Sequence, residues 1–359
     1  MRQFRFRPWY GGLVVLLAAA MAAVVFVGGD EPPHRPAPVP APEPEPPSRG
    51  PLTMVSIGDS SVSGEGTGIY TPETNGRAGD WCHRSPKAMV HQTSVPGIEQ
   101  TVNLACSGAS TQQVRLGKHT RYGEGSQAAQ LRELAKTNEI KIVTVAIGAN
   151  DDPRFSDRLS ECVRAYWGGP PCTQRLTRHW DATIDRMVPK VVAALADIRT
   201  VLTETGYQRD DYQLIVQSYP SPVSPHIPEY LRSLNGCPFR TSDLAWIHST
   251  AVARLSQGLH EAANRAGARF LDLSRAGYGH EACTGGRDAG SEWFTRLTVR
   301  WDYLDKVARA SHAAQESFHL NAAGHAQIGR CITEFVASTR DAAACLEGTD
   351  GHLHPTVLP

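Results

Sequence analysis

Four short motifs, far apart in the chain, carry groups suited to acyl transfer. Ser60 lies in GDSSVSGEG, Gly108 in NLACSGAS, Asn150 in IGAND and His319 in ESFHLNAAGH. A serine hydroxyl becomes a nucleophile when a base takes its proton, and the resulting oxyanion needs hydrogen-bond donors. His319 is the candidate base, while the Gly108 N–H and the Asn150 amide are candidate donors. The four motifs together predict one acyl-transfer site.

The candidate nucleophile follows an apolar run that predicts a buried strand. Residues 54–57 include Met, Val and Ile, and Gly58 and Asp59 come directly before Ser60. Such a run, bounded by turn residues, places Ser60 on the turn that leaves the strand. The carboxyl edge of an open α/β sheet is where ligands bind. We therefore expect Ser60 to be presented at that edge.

Further strand-like runs alternate with helical patterns. Apolar residues recur at helical spacing over 184–202, where Pro189 is expected to kink the helix, and over 244–262, before a stop at Gly267. This alternation predicts a parallel, doubly wound sheet flanked by helices. The segments around 152–180 and 274–315 fit neither pattern and are expected to be insertions over the strand ends. The predicted strands are 53–58, 101–105, 140–147, 212–218 and 269–273.

The N-terminus predicts export. Arg2, Arg5 and Arg7 precede a stretch from 11 to 29 that contains no charged residue. A positive region followed by an apolar segment is typical of a signal peptide, but this segment approaches the roughly 20 residues that span a bilayer. Residues 1–29 are therefore expected to be either a cleaved signal peptide or a retained membrane anchor, with the rest of the chain outside the cytoplasmic membrane.

The remaining chain divides by composition. Residues 30–51 are rich in proline and predict an extended linker. Residues 52–346 have globular composition and predict one catalytic domain, and 347–359 are expected to form a C-terminal tail. Besides a possible N-terminal anchor, no membrane contact is expected, and the protein is expected to be a monomer.

Charge and metal-ligand patterns exclude several function classes. The chain has 36 basic and 36 acidic residues and hence no net charge, which argues against a nucleic-acid partner. His260 and Glu261 begin an HExxH-like string, but residue 264 is Asn, so that zinc motif is absent. No metal and no organic cofactor is expected. Of the other histidines, His280 is interpreted as structural and His325 as a surface residue of the last helix.

The eight cysteines predict disulfides, because an even number in an exported chain favours bridges over metal ligation. Eight cysteines allow 105 pairings, and spacing alone does not decide between them. Two pairs would each close a short loop. The simplest arrangement of the other four cysteines then gives the remaining two pairs. The favoured pairs are Cys162 with Cys172, Cys331 with Cys345, Cys82 with Cys106, and Cys237 with Cys283.

These motifs resemble the four blocks of the SGNH (GDSL) hydrolase superfamily. The blocks correspond to GDSSVSGEG at 58–66, the glycine of NLACSGAS, GAND at 148–151 and ESFH at 316–319. Three further stretches resemble the secreted, disulfide-containing actinomycete esterases and lipases of that superfamily: CHRS at 82–85, NLACSGA at 103–109 and GHEAC at 279–283. The resemblance implies a flavodoxin-like fold with a parallel five-stranded sheet, flanking helices and disulfide-stapled loop insertions.

The resemblance also implies roles for single residues. Ser60 would be the nucleophile and His319 the base, with an oxyanion hole formed by the N–H groups of Ser60 and Gly108 and by Asn150. The family usually has Asp three residues before the histidine, where this chain has Glu316. Either the Glu316 side chain or a main-chain carbonyl at that position is expected to orient His319. Leu320 replaces a common Pro, a change that the backbone path should tolerate.

Three functions are consistent with these features. The first is a carboxylic ester hydrolase, an esterase or lipase, that acts on lipids or other acyl esters through an acyl-enzyme. The second uses the same site as an acyltransferase or deacetylase on cell-envelope or polysaccharide acyl groups. The third is a wall-associated binding protein whose linker matters more than its site, which the complete set of four motifs disfavours.

Overall fold

The computed structural model describes residues 50–304 and 307–358, so the predicted signal or anchor and nearly all of the predicted linker lie outside the described residues. Within the described ranges, one sheet has the strand order β2-β1-β3-β4-β5-β6-β7. Strands β1 to β6 pair in parallel, and β7 pairs antiparallel with β6. The strands are β1 Leu52–Gly58, β2 Gln100–Asn103, β3 Glu139–Ala146, β4 Gln213–Gln217, β5 Arg269–Asp272, β6 Ala342–Glu347 and β7 Leu353–Thr356.

All five predicted strands are present, and the sheet has two more. The β6 sequence AAACLE begins with three alanines, which have low strand propensity, and β7 contains Pro355, which is tolerated at a sheet edge. Neither strand therefore gives a clear pattern. Strand β7 lies in the segment that was expected to be a C-terminal tail.

The helices cover both faces of the sheet. Strand β1 is buried on both sides, since Met54 packs in one apolar cluster while Val55 and Ile57 pack in the other. Both faces of a parallel sheet are normally covered in this way. The helices are α1 Ser60–Ser63, α2 Thr111–Val114, α3 Gln127–Leu134, α4 Phe155–Trp167, α5 Thr173–Leu176, α6 Trp180–Glu204, α7 Thr241–Trp246, α8 Val252–Ala266, α9 Trp301–Leu304, α10 Val307–Ala310 and α11 Ala322–Ala337.

Both predicted long helices are present in the structure, with small differences from the predicted pattern. Helix α6 continues through Pro189 with its apolar face buried. One π-helical turn, Ile247–Ala251, joins α7 to α8. Helix α8 ends at Gly267, whose φ of 59° lies in the left-handed region, as the predicted stop requires. The fold is thus a doubly wound α/β sheet.

Four disulfides staple the loops around this sheet. They join Cys82 to Cys106, Cys162 to Cys172, Cys237 to Cys283, and Cys331 to Cys345, which are the pairs that spacing favoured. The second bridge closes the insertion that contains α4 and α5, and the fourth ties α11 to β6. Among the helices of the described ranges, none is both long enough and apolar enough to cross a bilayer.

Candidate active site

Ser60 stands at the carboxyl end of strand β1, where helix α1 begins. Gly58 has a φ of 150°, and a Cβ there would lie 2.1 Å from the main-chain oxygen of Ala146, so only glycine fits. Asp59 caps α1, because its carboxylate accepts the N–H of Ser61 at 3.0 Å. The turn therefore presents Ser60, which is 9% exposed, at the predicted edge of the sheet.

His319 approaches Ser60 from a loop 259 residues further along the chain. Its Nε2 lies 2.8 Å from Ser60 Oγ, and its Nδ1 lies 3.1 Å from the main-chain oxygen of Ser317. An imidazole that donates from Nδ1 to a carbonyl leaves Nε2 as an acceptor for a hydroxyl proton. Phe318, between the two loop residues, has a φ of 60°, and this turn directs the Ser317 carbonyl toward the ring.

Glu316 does not contact the imidazole of His319. Its carboxylate accepts hydrogen bonds from the Tyr70 hydroxyl at 3.0 Å and from Arg300 at 3.3 Å. Its main-chain oxygen accepts from Thr295 Oγ1. The expectation that the side chain or carbonyl of residue 316 orients His319 is corrected, because the acceptor is the carbonyl one residue later.

The two candidate oxyanion donors line the same cleft as Ser60 and His319. Gly108 has a φ of 71° and sits in the turn after β2, where the main-chain N–H of Ala109 bonds to Cys106 O. The Asn150 side-chain amide donates to the main-chain oxygen of Ala109 at 3.0 Å, which ties the two donor segments together. The four sequence motifs therefore converge on one cleft.

Asp151 reinforces this connection between the donor segments. Its carboxylate accepts the main-chain N–H of Thr111 at 2.9 Å and the Thr111 hydroxyl at 2.6 Å. Burial raises the pKa of Asp151, and hydrogen bonds from Thr111 oppose that shift. Asp151 thus holds the segment after Gly108 in addition to its own loop.

The cleft has a volume of about 650 Å³ and a mixed lining. Apolar side chains come from both insertions and from the loop that carries His319, and charged and polar side chains come from the same insertions and from the segment between α2 and α3. A cleft of this size accommodates a small ligand or part of a larger one. The apolar residues include Phe155, Leu159, Phe294, Phe318 and Leu320, and the polar ones include Arg121, Arg154, Asp157, His312 and Gln315.

A buried acidic group beside the turn that contains Ser107 and Gly108, here called the proposed oxyanion turn, was not identified from the sequence. Glu65 and His83 are 0% and 1% exposed, and the His83 Nδ1 lies 2.9 Å from a Glu65 carboxylate oxygen. The signal that could have revealed this pair is Glu65, the second of two acidic residues within the small-residue motif GDSSVSGEG. A charged side chain there must find a partner or face solvent.

Two other histidines were assigned roles from the sequence. His280 stacks on Trp293 with ring centroids 3.9 Å apart, and its Nδ1 lies 2.7 Å from Ser291 O. His325 is completely buried rather than on the surface, because α11 packs against the segment that contains Met89. The Met89 N–H donates to His325 Nδ1 at 3.2 Å. The surface interpretation of His325 is therefore wrong.

The fold, the disulfide pattern and the cleft define a hydrolase of the SGNH type. A family model described as the GDSL-like Lipase/Acylhydrolase family matches residues 56–327. The chain belongs to this family, which confirms the resemblance seen in its motifs, and it is a serine ester hydrolase.

Characterised relatives are similar to this chain at low identity. Lipase 2 of Streptomyces coelicolor is 25% identical over 251 residues, which span 68% of this chain and 77% of that protein. An extracellular lipase from Streptomyces rimosus matches with a TM-score of 0.49 at 22% identity, covering 76% of this chain and 94% of that one. Phospholipase A1 from Streptomyces albidoflavus matches with a TM-score of 0.46 at 21% identity, covering 77% and 95% respectively.

Proposed function

We propose that this protein is an extracytoplasmic carboxylic ester hydrolase that works through an acyl-enzyme on Ser60. The observation that carries the proposal is the contact of 2.8 Å between Ser60 Oγ and His319 Nε2. A nucleophile and base within hydrogen-bond reach, with the base oriented by a third group, is the arrangement that nucleophilic catalysis requires. Here the third group is the Ser317 carbonyl.

In the proposed mechanism, His319 takes the proton of Ser60 as its oxygen attacks the ester carbonyl. The oxyanion that forms is held by the N–H groups of Ser60 and Gly108 and by the Asn150 side-chain amide. His319 then protonates the leaving alcohol, and the acyl group remains on Ser60. Water repeats the sequence and releases the acid.

The site of action follows from the cysteines and the N-terminus. Four disulfides favour an oxidising compartment. The arginines before an apolar stretch favour export, with residues 1–29 as signal peptide or anchor and 30–51 as a spacer. The hydrolase domain then acts as a monomer outside the membrane. Mass determination of the exported protein distinguishes a cleaved N-terminus from a retained one.

Hydrolysis of 4-nitrophenyl butyrate by the Ser60→Ala variant tests this proposal. We expect kcat of this variant to fall to the level of the uncatalysed background. Ser249, which is exposed in the π-helical turn between α7 and α8, provides the matched control Ser249→Ala, which should retain full activity. Retention of activity in Ser60→Ala, with the same thermal stability as the wild type, would exclude Ser60 as the nucleophile.

A further inference from the structure

A carboxylate is completely buried five residues after the proposed nucleophile. Glu65 is 0% exposed, and His83 Nδ1 donates to its two oxygens at 2.9 and 3.0 Å. The Gln315 side-chain amide donates to Glu65 Oε2 at 2.7 Å, and the Ser107 hydroxyl donates to the same oxygen. The carboxylate is therefore surrounded by donors from three other segments of the chain.

Glu65 is held in its ionised form. Burial alone would raise the pKa of Glu65, but hydrogen bonding and the charge of His83 outweigh burial, so that its pKa lies below the ordinary value. Isolated buried charges cost several kcal/mol, so a buried carboxylate persists only with good partners. This pair also holds His83 at a φ of 50°, in the left-handed region that non-glycine residues rarely adopt. Backbone strain of this kind is concentrated at functional sites.

The segments that meet at Glu65 are those that carry the proposed chemistry. Ser107 immediately precedes Gly108 in the proposed oxyanion turn, and Gln315 lies two residues before Ser317, whose carbonyl receives the His319 Nδ1. The residue after Glu65 packs directly on the base, since a Cβ on Gly66 would lie 2.8 Å from His319 Cβ. One carboxylate thus connects the proposed oxyanion turn to the loop of the base.

We propose that Glu65, supported by His83, is a positioning residue that fixes the proposed oxyanion turn relative to His319 and stabilises the imidazolium that forms there. This inference rests on the proposed function of Ser60 and His319. The Ser317 carbonyl that orients His319 carries no formal charge, so it selects the tautomer but provides little charge compensation. Glu65 is close enough for an attractive electrostatic interaction with His319, and this attraction provides the compensation.

Asp59 is another buried acid that interacts electrostatically with His319, but its situation differs. Burial raises the pKa of Asp59, and its carboxylate is occupied by the Tyr219 hydroxyl at 2.7 Å and by Ser61. Asp59 caps the helix that starts at Ser60 and does not contact the loop of the base through any such bond. Glu65 is therefore the acid that joins both halves of the site.

Several titratable and charged groups face Glu65 and shape its effect on the pH profile. The Tyr70 ring stacks on His83 with centroids 4.1 Å apart, and its hydroxyl lies 3.3 Å from Glu65 Oε1. Burial raises the pKa of Tyr70, so it stays neutral over the working range. The other groups reach Glu65 directly or through one neighbour: His83, His319, His325, His312 through Gln315, Arg121 through Ser107, and Glu316 with Arg300 through Tyr70.

The matched experiment compares two Glu–His pairs whose carboxylates are buried. Glu281 is 1% exposed and contacts His248 at 2.9 Å, as Glu65 contacts His83. The Glu281 carboxylate also accepts the Gly279 N–H at 2.9 Å, whereas the Glu65 carboxylate accepts from Ser107 and Gln315, which line the cleft. Glu65→Gln keeps the shape of the side chain and removes its charge, and Glu281→Gln makes the same change at the control pair. Steady-state kinetics with 4-nitrophenyl butyrate are measured from pH 4 to 9 for both variants, together with their melting temperatures.

For Glu65→Gln we expect kcat to fall about 10–100-fold with KM changed much less, because the loss concerns charge that develops in the transition state. The acidic limb of kcat/KM should move to lower pH, because His319 gives up its proton more readily without the nearby negative charge. Glu281→Gln should leave kcat and the limb unchanged. The inference would be overturned if Glu65→Gln kept the wild-type kcat and the wild-type acidic limb of kcat/KM. It would also be overturned if kcat fell equally in both variants.

A second variant keeps the test decisive if Glu65→Gln does not fold. Ser107→Ala removes only the hydroxyl that connects Glu65 to the proposed oxyanion turn. We expect it to lower kcat about tenfold at constant KM, and wild-type kcat would contradict the proposal. Ser60→Ala in the same assay separates the two proposals. If Ser60→Ala is inactive while Glu65→Gln and Ser107→Ala match the wild type, only the role of Glu65 fails.

Discussion

His319 contacts the main-chain oxygen of Ser317 through Nδ1 at 3.1 Å while its Nε2 contacts Ser60 Oγ at 2.8 Å. The carbonyl that orients the imidazole thus lies in the same loop, two residues before His319 in the chain. A neutral carbonyl selects the same tautomer as a carboxylate would, because the requirement is an acceptor for the Nδ1 proton. The proposed site consequently does not need an acidic side chain in contact with the imidazole.

The variant Glu316→Ala tests this arrangement. We expect kcat/KM to fall by less than about tenfold, or about 1.4 kcal/mol of transition-state stabilisation, because Glu316 contacts Tyr70 and Arg300 and not the His319 ring. His319→Ala should lower kcat by on the order of 10⁴–10⁶-fold. Steady-state hydrolysis of 4-nitrophenyl butyrate measures both. A loss in Glu316→Ala close to that of His319→Ala would show that the carboxylate acts on the base.

Removing the Asn150 amide should impair turnover more than substrate binding. We expect Asn150→Ala to lower kcat by about 10²–10³-fold with little change in KM, because an oxyanion donor interacts more strongly with the transition state than with the ester. Asn264, exposed on α8, provides the control Asn264→Ala. Wild-type kcat in Asn150→Ala would remove Asn150 from the oxyanion hole.

The buried His325 should make the fold sensitive to acid. Burial lowers the pKa of His325 from 6.5 to about 4, because the ring is out of contact with water and the charged imidazolium would lose its hydration there. Between those two pH values the unfolded chain binds a proton at this ring that the native state does not. The free energy of unfolding therefore falls as the pH drops through this window, by about 3 kcal/mol in total at 1.36 kcal/mol per pH unit.

Urea unfolding at pH 7 and pH 4.5 measures that loss. His325→Asn, whose side-chain oxygen can accept the Met89 N–H as the imidazole does, should flatten the difference between the two pH values. An equal pH dependence in the wild type and in His325→Asn would assign the acid sensitivity to other groups.

The disulfide between Cys331 and Cys345 should stabilise the C-terminal edge of the sheet. It joins α11 to β6 across a sequence separation of 14 residues, for which loop-closure entropy gives about 3 kcal/mol. We expect the double variant Cys331→Ser/Cys345→Ser to unfold at lower urea concentration and to retain kcat, since neither residue lines the cleft. Unchanged unfolding would show that this bridge contributes little to the native state.

The sequence predicts the part of this structure that depends on strong local patterns. The apolar run before Gly58 and the turn residues after it are sufficient to place Ser60 at the end of a buried strand. Strand ends of a parallel sheet converge on one edge, and this is why residues as distant as Ser60 and His319 could be expected to meet. Gly267 likewise ends α8 where the pattern indicates.

Features that depend on tertiary contacts were not predicted from the sequence. The orienting carbonyl of Ser317 has no side-chain signature, and Glu316 is drawn away by Tyr70, a residue 246 positions earlier. The burial of His325 depends on the Met89 segment, which packs against a face of α11 that was predicted to lie on the surface. The Glu65–His83 pair forms only when loops far apart in the chain come together.

Covalent labelling with a fluorophosphonate tests the central claim most directly. The reagent bonds to an activated serine, so peptide mapping by mass spectrometry should find the label on Ser60 in the wild type. His319→Ala should be labelled far more slowly, because Ser60 then lacks its base. A label on another serine, or labelling of Ser60 at the same rate in both proteins, would contradict the proposed Ser60–His319 site.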